Sequence, residues 1–240
     1  MLIDNFQLRL ERASTNENHV LVTLRVSKFS DAKTLSISMD KSVSYAYKLL
    51  KRLEKRGLVK KHRIDELNMN IWGLTEQGLL ISWGVGEEIA PVKRFEPSKV
   101  SPITVFHELQ LQRAGAQAIK SGWSEWLPGH QLPVGLQRRP DAVVKSLSGE
   151  VVAVELERTI KSRKRYEAII SDYLQAIKRG EYDYVAYVVP DQSMALRMPL
   201  LFRSIKSVPV AGKRVSLEDR HYNKFSFYSL ENWPKEEVSQ

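Results

Sequence analysis

Two valine-rich runs, AVVK and VVAVEL, face each other across a Ser148-Gly149 turn within residues 139–162 (RPDAVVKSLSGEVVAVELERTIKS), and no other stretch restricts the fold so tightly. In the second run Val152, Val154 and Leu156 alternate with Ala153, Glu155 and Glu157. Period two puts the apolar trio on one face of a strand and both carboxylates on the other. A turn centred near Ser148 also sets Asp141 directly across from Glu155, since each lies seven residues from that centre. Like charges opposed in a strand pair are destabilising. Either these are solvated charges paired with the neighbouring Arg158, Lys161, Arg163, Lys164 and Arg165, or a cation belongs among them. Mg²⁺ suits such a place, because it takes one or two carboxylates, keeps several waters and leaves room for a phosphate oxygen.

The surroundings of the hairpin predict a sheet with helices packed on it. Residues 103–122 form a helix with Val105, Leu109, Ala116 and Ile119 near one stripe, followed by an aromatic connection, WSEWLPGHQLP. After the hairpin come a long basic helix near 162–179, a strand YVAYVVP, a helix near 193–206 and a last strand at FSFYSL. The order α-β-β-α-β-α-β builds a mixed sheet.

Charge is concentrated elsewhere. The 240 residues carry a net charge of +9, and the stretch from Lys41 to Arg63 alone holds nine cations against Glu54. A basic excess that local points to a polyanion rather than to general solubility. In the same stretch Val43, Ala46, Leu50 and Leu53 recur at helical spacing, Asp40 is placed to cap the helix start, and Gly57 stands where a glycine ends a helix. LVKKH and NIWGLT then read as two strands, and TEQGLLIS as a return to helix. Helix, short helix, basic helix and β-hairpin over residues 15–85 resemble winged-helix DNA-binding domains. In that fold the third helix enters the major groove and the wing touches phosphates. The resemblance implies Ser42, Ser44, Tyr45 and Lys48 as base readers, and Lys51, Lys55, Lys60, Lys61, His62 and Arg63 as phosphate holders. A solvated basic helix on a dimerisation or protein-binding domain is the plainer alternative.

The proline-bearing stretch GVGEEIAPVKRFEPSKVSP divides the chain into residues 1–86, a linker at 87–102, and residues 103–240. The absence of cysteine excludes disulfides, thiolate nucleophiles and cysteine-held zinc. No apolar run approaches the roughly 20 residues of a membrane span, and MLIDNFQLRLER lacks a secretory apolar region, so a cytoplasmic protein without membrane insertion is expected. The GK pair in VAGKRVS lacks the glycine spacing of a phosphate loop.

Pro140-Asp141 and Glu155-Leu156-Glu157 resemble the paired motif of the PD-(D/E)xK nuclease superfamily, with one departure: Glu157 stands where the lysine belongs. Some members carry ExE and others move the lysine to the following helix, where Lys161, or failing it Lys164, is available. The fuller phrase, with ExERT, a basic helix bearing Tyr166 and Tyr173, and His107-Glu108-Leu109 upstream, also resembles plasmid mobilisation relaxases of the C class and replication–relaxation proteins. Those join a winged helix to a nuclease-like core. The implied fold is α/β (α+β), an N-terminal winged helix-turn-helix followed by a restriction-endonuclease-like mixed sheet flanked by helices.

The resemblance implies metal-dependent DNA nicking at the start of conjugative transfer, with Mg²⁺ or Mn²⁺ held by Asp141, Glu155 and Glu157. Lys161 or Lys164 would offset charge on the phosphorane, and Glu108 would be an additional carboxylate. DNA, an accessory mobilisation protein and a coupling protein are the implied partners. A DNA-binding regulator without cleavage and an endonuclease of a transposition or restriction system are the alternatives. The five histidines include no pair close enough for a histidine-held metal, Tyr166 and Tyr173 are spaced for packing, and no serine-hydrolase elbow is present.

Overall fold

The computed structural model describes residues 2–84, 86–89, 91–92 and 94–235, with the backbone alone for 2–13. The chain divides into two compact units, 1–113 and 114–240. No helix among the described residues is long and apolar enough to cross a membrane.

The first unit is a winged helix-turn-helix. Helices α1 (Leu2–Ser27), α2 (Ala32–Met39) and α3 (Val43–Lys55) precede strands β2 (Val59–Ile64) and β3 (Met69–Leu74) and the short helix α4 (Glu76–Ile81); a two-residue strand β1 (Phe29–Ser30) lies on the other side of β3. The α2–α3 turn is built by two capping residues. Asp40 takes the left-handed conformation that closes α2 (φ 54°), and the Ser42 side chain accepts the Tyr45 N–H to open α3. Asp40 was expected to open α3; its backbone ends the preceding helix instead. Gly57, at φ 72°, ends α3 as expected.

Leu24, Leu35, Ala46, Leu49, Leu50, Leu53 and Trp72 form the core of this unit. Val43, placed by the sequence on the apolar stripe, is exposed, and Leu49 takes its share of the core. A second cluster joins Ile64 and Ile71 of the wing to Phe95 and to Val105 and Leu109 of α5 (Pro102–Lys120). The sequence puts a linker at 87–102 and a new domain at 103, yet Phe95 and the first turns of α5 pack into the first unit. Gln112 donates to the Phe29 carbonyl, and Arg113 pairs with Asp31 at 2.8 Å. The division therefore falls inside α5.

In the second unit, a five-stranded sheet has the order β10-β7-β6-β5-β4, comprising β4 (Ser124–Pro128), β5 (Ala142–Lys145), β6 (Val151–Leu156), β7 (Tyr184–Val189) and β10 (Phe225–Ser229). β4, β5 and β6 are antiparallel neighbours, whereas β6, β7 and β10 run parallel. Helix α6 (Arg163–Lys178) crosses from β6 to β7, and α7 (Gln192–Ser204) packs on β7 and β10. A small hairpin of β8 (Ser207–Val210) and β9 (Lys213–Ser216), then α8 (Asp219–Tyr222), leads to β10. The VAGKRVS phrase is this hairpin. Ala211 (φ 47°) and Gly212 (φ 79°) supply the two left-handed residues of a tight turn.

The α5 half that belongs to this unit is fixed by indoles. Trp233 Nε1 donates to the Ala114 carbonyl, and Gly115 leaves room for Trp126, whose ring a Cβ there would approach to 2.7 Å. Ile119, expected in the apolar stripe, is exposed; Ala114 and Ala118 are buried in its stead.

Strand β4 lies in the stretch expected to be only an aromatic connection. Glu125 adopts φ 55° and the pairing with β5 shifts between Ser124 and Leu127, so the bulge breaks the alternation by which a strand is recognised. At its end the Gly129 N–H donates to the Asp141 carbonyl at 2.7 Å, and a Cβ at residue 129 would stand 2.4 Å from the Pro140 carbonyl oxygen. Only glycine permits this approach to the Pro140–Asp141 corner. Gly129→Ala is expected to destabilise the second unit by ~1–3 kcal/mol through overpacking, measured as a lower calorimetric midpoint; an unchanged midpoint would show that the corner yields freely.

Candidate active site and nucleic-acid interface

The hairpin register is the expected one. Ala142 pairs with Val154 and Val143 with Ala153, so one further step sets Asp141, just before β5, opposite Glu155 on β6. Of the two alternatives, pairing with a neighbouring cation is seen for Glu157 and Lys161, but the face is covered rather than solvated. Ala153 and the residues beside it belong to the core formed with Tyr166, Ile169, Ile170 and Tyr173 of α6, so both faces of β6 are covered. The Glu155 side chain retains 13% exposure and that of Glu157, just past the strand end, 5%.

Buried charges need partners, and each carboxylate here has its own. Asp141 Oδ2 accepts the Leu156 N–H at 2.8 Å. Glu155 Oε1 accepts from Arg138 Nε and Nη2, at 3.3 and 3.2 Å, and from the Tyr173 hydroxyl. Arg138 also lies 3.9 Å from Asp172, and its guanidinium stacks over the Tyr173 ring at 5.2 Å. Glu157 Oε2 accepts from Lys161 Nζ and, at 3.2 Å, from the Tyr166 hydroxyl.

These contacts sort the expected site residues. Asp141 and Glu155 stand together, whereas Glu157 is turned to Lys161 and Tyr166. Among the described residues no group of three His, Cys, Asp or Glu side chains is placed to hold a metal ion. Lys161 is the lysine held at a carboxylate; Lys164 is exposed in the first turn of α6. Glu108 lies on the part of α5 belonging to the first unit. The pairing of Arg138 and Tyr173 on Glu155 is what sequence reasoning missed. Only the proximity of Arg138 to Pro140-Asp141 hinted at the first, and Tyr173 was marked by its place on the basic helix of the relaxase-like phrase, not as a partner of Glu155.

The electrostatics follow from burial. Desolvation first, and the Asp141 charge second, raise the Glu155 carboxyl above its ordinary value, against the pull of Tyr173 and Arg138. Burial pushes the Tyr166 phenol up to about 12, with Glu157 adding to the rise and the Lys161 backbone N–H opposing it. Tyr173 is raised well above the ordinary phenol range by burial and then by Glu155.

In the first unit, Ser42, Ser44 and Lys48 are exposed at the start of α3. Tyr45 is half-buried, and its hydroxyl accepts from Asn16 at 3.0 Å, which gives it a packing role beside the expected base-reading one. Several cations are already engaged. Arg52 and Arg56 both reach Glu17, Lys51 reaches Glu54 at 2.9 Å, and Arg63 is held by Asp65 and Asn68. On β2, Lys61 and Arg63 alternate outward while Lys60 and His62 are half-buried, Lys60 Nζ lying 5.7 Å from the Phe95 ring. Lys48, Lys55 and Lys61 enter no ion pair among the described residues.

The sequence matches no family model and no curated protein. Among solved structures it is similar to Lactococcus lactis ZitR. An apo double-mutant form is 20% identical over 34% of this chain and 61% of that one, with a TM-score of 0.27; a second ZitR mutant is 24% identical over 28% and 46%, with a TM-score of 0.26. The chain thus spans less than two thirds of the ZitR chains it matches, at low structural similarity.

Since folded Glu155 binds its proton more tightly than the unfolded chain does, its contribution to stability is fullest below the ordinary carboxyl value of 4.5 and declines as the pH rises through its higher folded value. Asp141→Asn is expected to move the Glu155 titration midpoint down toward the ordinary value, followed by carboxyl-carbon NMR. An unmoved midpoint would mean that the two carboxylates do not feel each other.

Proposed function

We propose that this protein recognises a duplex DNA site through its winged helix and cleaves a phosphodiester bond nearby, with Mg²⁺ or Mn²⁺ held by Asp141 and Glu155. The observation that carries the proposal is the in-register placement of these two carboxylates at the ends of β5 and β6, where the Asp141 charge adds its repulsion to the burial of Glu155. A divalent cation reverses that repulsion, and two carboxylates are as many as Mg²⁺ commonly takes from a protein. The donor set therefore fits the ion. When bound, it would supply a polarised phosphoryl oxygen and a more acidic water.

The order helix, three antiparallel strands, helix, parallel strand also supports kinship with PD-(D/E)xK nucleases, in which Pro140-Asp141 and Glu155 are the acidic motif positions. Lys161, anchored by Glu157, is the cation that would offset charge gathering on the reacting phosphate. Within that class, relaxase nicking in plasmid mobilisation is the finer assignment, supported by the pairing of a winged helix with such a core and by the ExERT phrase. It carries an accessory mobilisation protein and a coupling protein as partners. Binding by the first unit rests on α3 and β2. Lys48, Lys55 and Lys61 are open to phosphates, with Ser42, Ser44 and Lys48 at the groove-entering end of the helix.

One observation favours a second reading, a DNA-binding protein without cleavage. Glu155 already has Arg138 and Tyr173, and Glu157 already has Lys161 and Tyr166. Such partners are those of a structural ion-pair network as much as of an active site.

Supercoiled parental replicon, supplied with the accessory mobilisation protein, separates the two. Metal-dependent open circles that disappear in Asp141→Ala and Glu155→Ala are expected, and intact supercoils in every condition would leave only the binding reading. Binding is tested by the dependence of affinity on salt. Lys48→Ala, Lys55→Ala and Lys61→Ala should each reduce the slope of log affinity against log salt by about 1, whereas a slope near zero in the native chain would remove the groove-binding model.

A further inference from the structure

The partners of Glu155 are distributed unevenly between its two oxygens. Oε1 receives all three donors, Arg138 Nε and Nη2 and the Tyr173 hydroxyl. Oε2 accepts no hydrogen bond among the described residues, and it is not one of the buried polar atoms left without a partner, so it keeps access to solvent. A carboxylate serving only to neutralise Arg138 gains most from presenting both oxygens to the guanidinium fork. Here the fork and the phenol converge on one.

Resting on the metal-site reading above, we infer that Tyr173 and Arg138 are positioning residues that clamp Oε1 of Glu155 and so present Oε2 as a one-oxygen ligand to a divalent cation. Tyr173 is suited to the task. It is fully buried on α6, edge-on to Tyr182 at 6.2 Å, with its hydroxyl donating to Oε1. Arg138 is fixed at its backbone, whose carbonyl accepts the Tyr182 hydroxyl at 3.0 Å, and at its far side by Asp172. Outer partners of this kind hold a ligand's orientation, and their removal typically weakens metal binding about 10–100-fold.

The test is Mn²⁺ binding to the full chain without DNA, followed by electron paramagnetic resonance of the free ion. The native chain is compared with Tyr173→Phe, Arg138→Lys and Glu155→Gln, with circular dichroism reporting the fold. Arg138→Lys keeps the charge and loses the fork. The expected result is binding that Glu155→Gln abolishes and that Tyr173→Phe and Arg138→Lys each weaken roughly 10-fold or more with the fold intact. Binding that needs Glu155 but is unchanged or tighter in the two clamp variants overturns the clamp and leaves the metal site standing. Mn²⁺ binding that is absent, or unaffected by Glu155→Gln, removes the metal site and the clamp with it. Should Tyr173→Phe fail to fold, Arg138→Lys decides alone, and unchanged affinity in that variant overturns the inference.

Discussion

The opposition of Asp141 and Glu155 is imposed by backbone geometry, and the second unit is arranged around its consequences. A hairpin whose turn holds Gly149 at φ 84° admits one register for its valines, since a slip by one residue would turn every side chain to the other face. That register brings two carboxylates together at the ends of β5 and β6, where the sheet is covered on both sides. Fixing both in low dielectric is expensive. The fold answers with Arg138 and Tyr173 on Glu155 and with the Leu156 N–H among the contacts of Asp141. Burial and the neighbouring charge still raise the Glu155 carboxyl. A core with no other role would be expected to place apolar side chains there.

The first unit handles its charge by a division of labour. Some cations hold the fold, Arg52 and Arg56 tying α3 to Glu17 of α1 and Arg63 tightening the end of β2 through Asp65 and Asn68. Exposed pairs of this sort contribute little stability each, but they reduce the field that the raw excess in the 41–63 stretch suggests. The lysines left open are spread along α3 and onto β2, which suits contact with a run of phosphates better than a single anion.

Most of the architecture was legible because period and punctuation agreed. The β5–β6 register followed from counting outward from the turn, and the end of α3 from Gly57. Where the sequence misled, a backbone conformation had overridden a side-chain pattern. Glu125 at φ 55° concealed β4, and the left-handed Asp40 passed the capping of α3 to Ser42. The unit boundary was missed since Phe95, Val105 and Leu109 join the core of the wing from beyond a proline-bearing stretch, a long-range contact that composition does not register. The carboxylate pair itself was legible. The partners on Glu155 were not, because Tyr173 is eighteen positions away and reaches it only through the packing of α6 on the sheet.

The departure at residue 157 gains a physical meaning from the same packing. A lysine two positions after Glu155 would extend from the strand end into a region enclosed by Tyr166 and Met198. The chain has a glutamate there, 5% exposed, which accepts from both Lys161 and the Tyr166 hydroxyl. The Lys161 backbone N–H in turn donates to that hydroxyl at 3.2 Å, so main chain and side chain of the lysine are fixed by one buried pair. On the proposed function, Glu157 is then neither a metal ligand nor an idle substitution. It anchors a lysine supplied by the loop before α6, so that the motif's positive charge comes from residue 161 and its placement from residue 157. Two residues would then share what the PD-(D/E)xK motif assigns to one. The charge is held by a loop segment whose position depends on α6, and any shift of that helix against β6 would move Lys161 together with Tyr173, the residue on which the orientation of Glu155 depends.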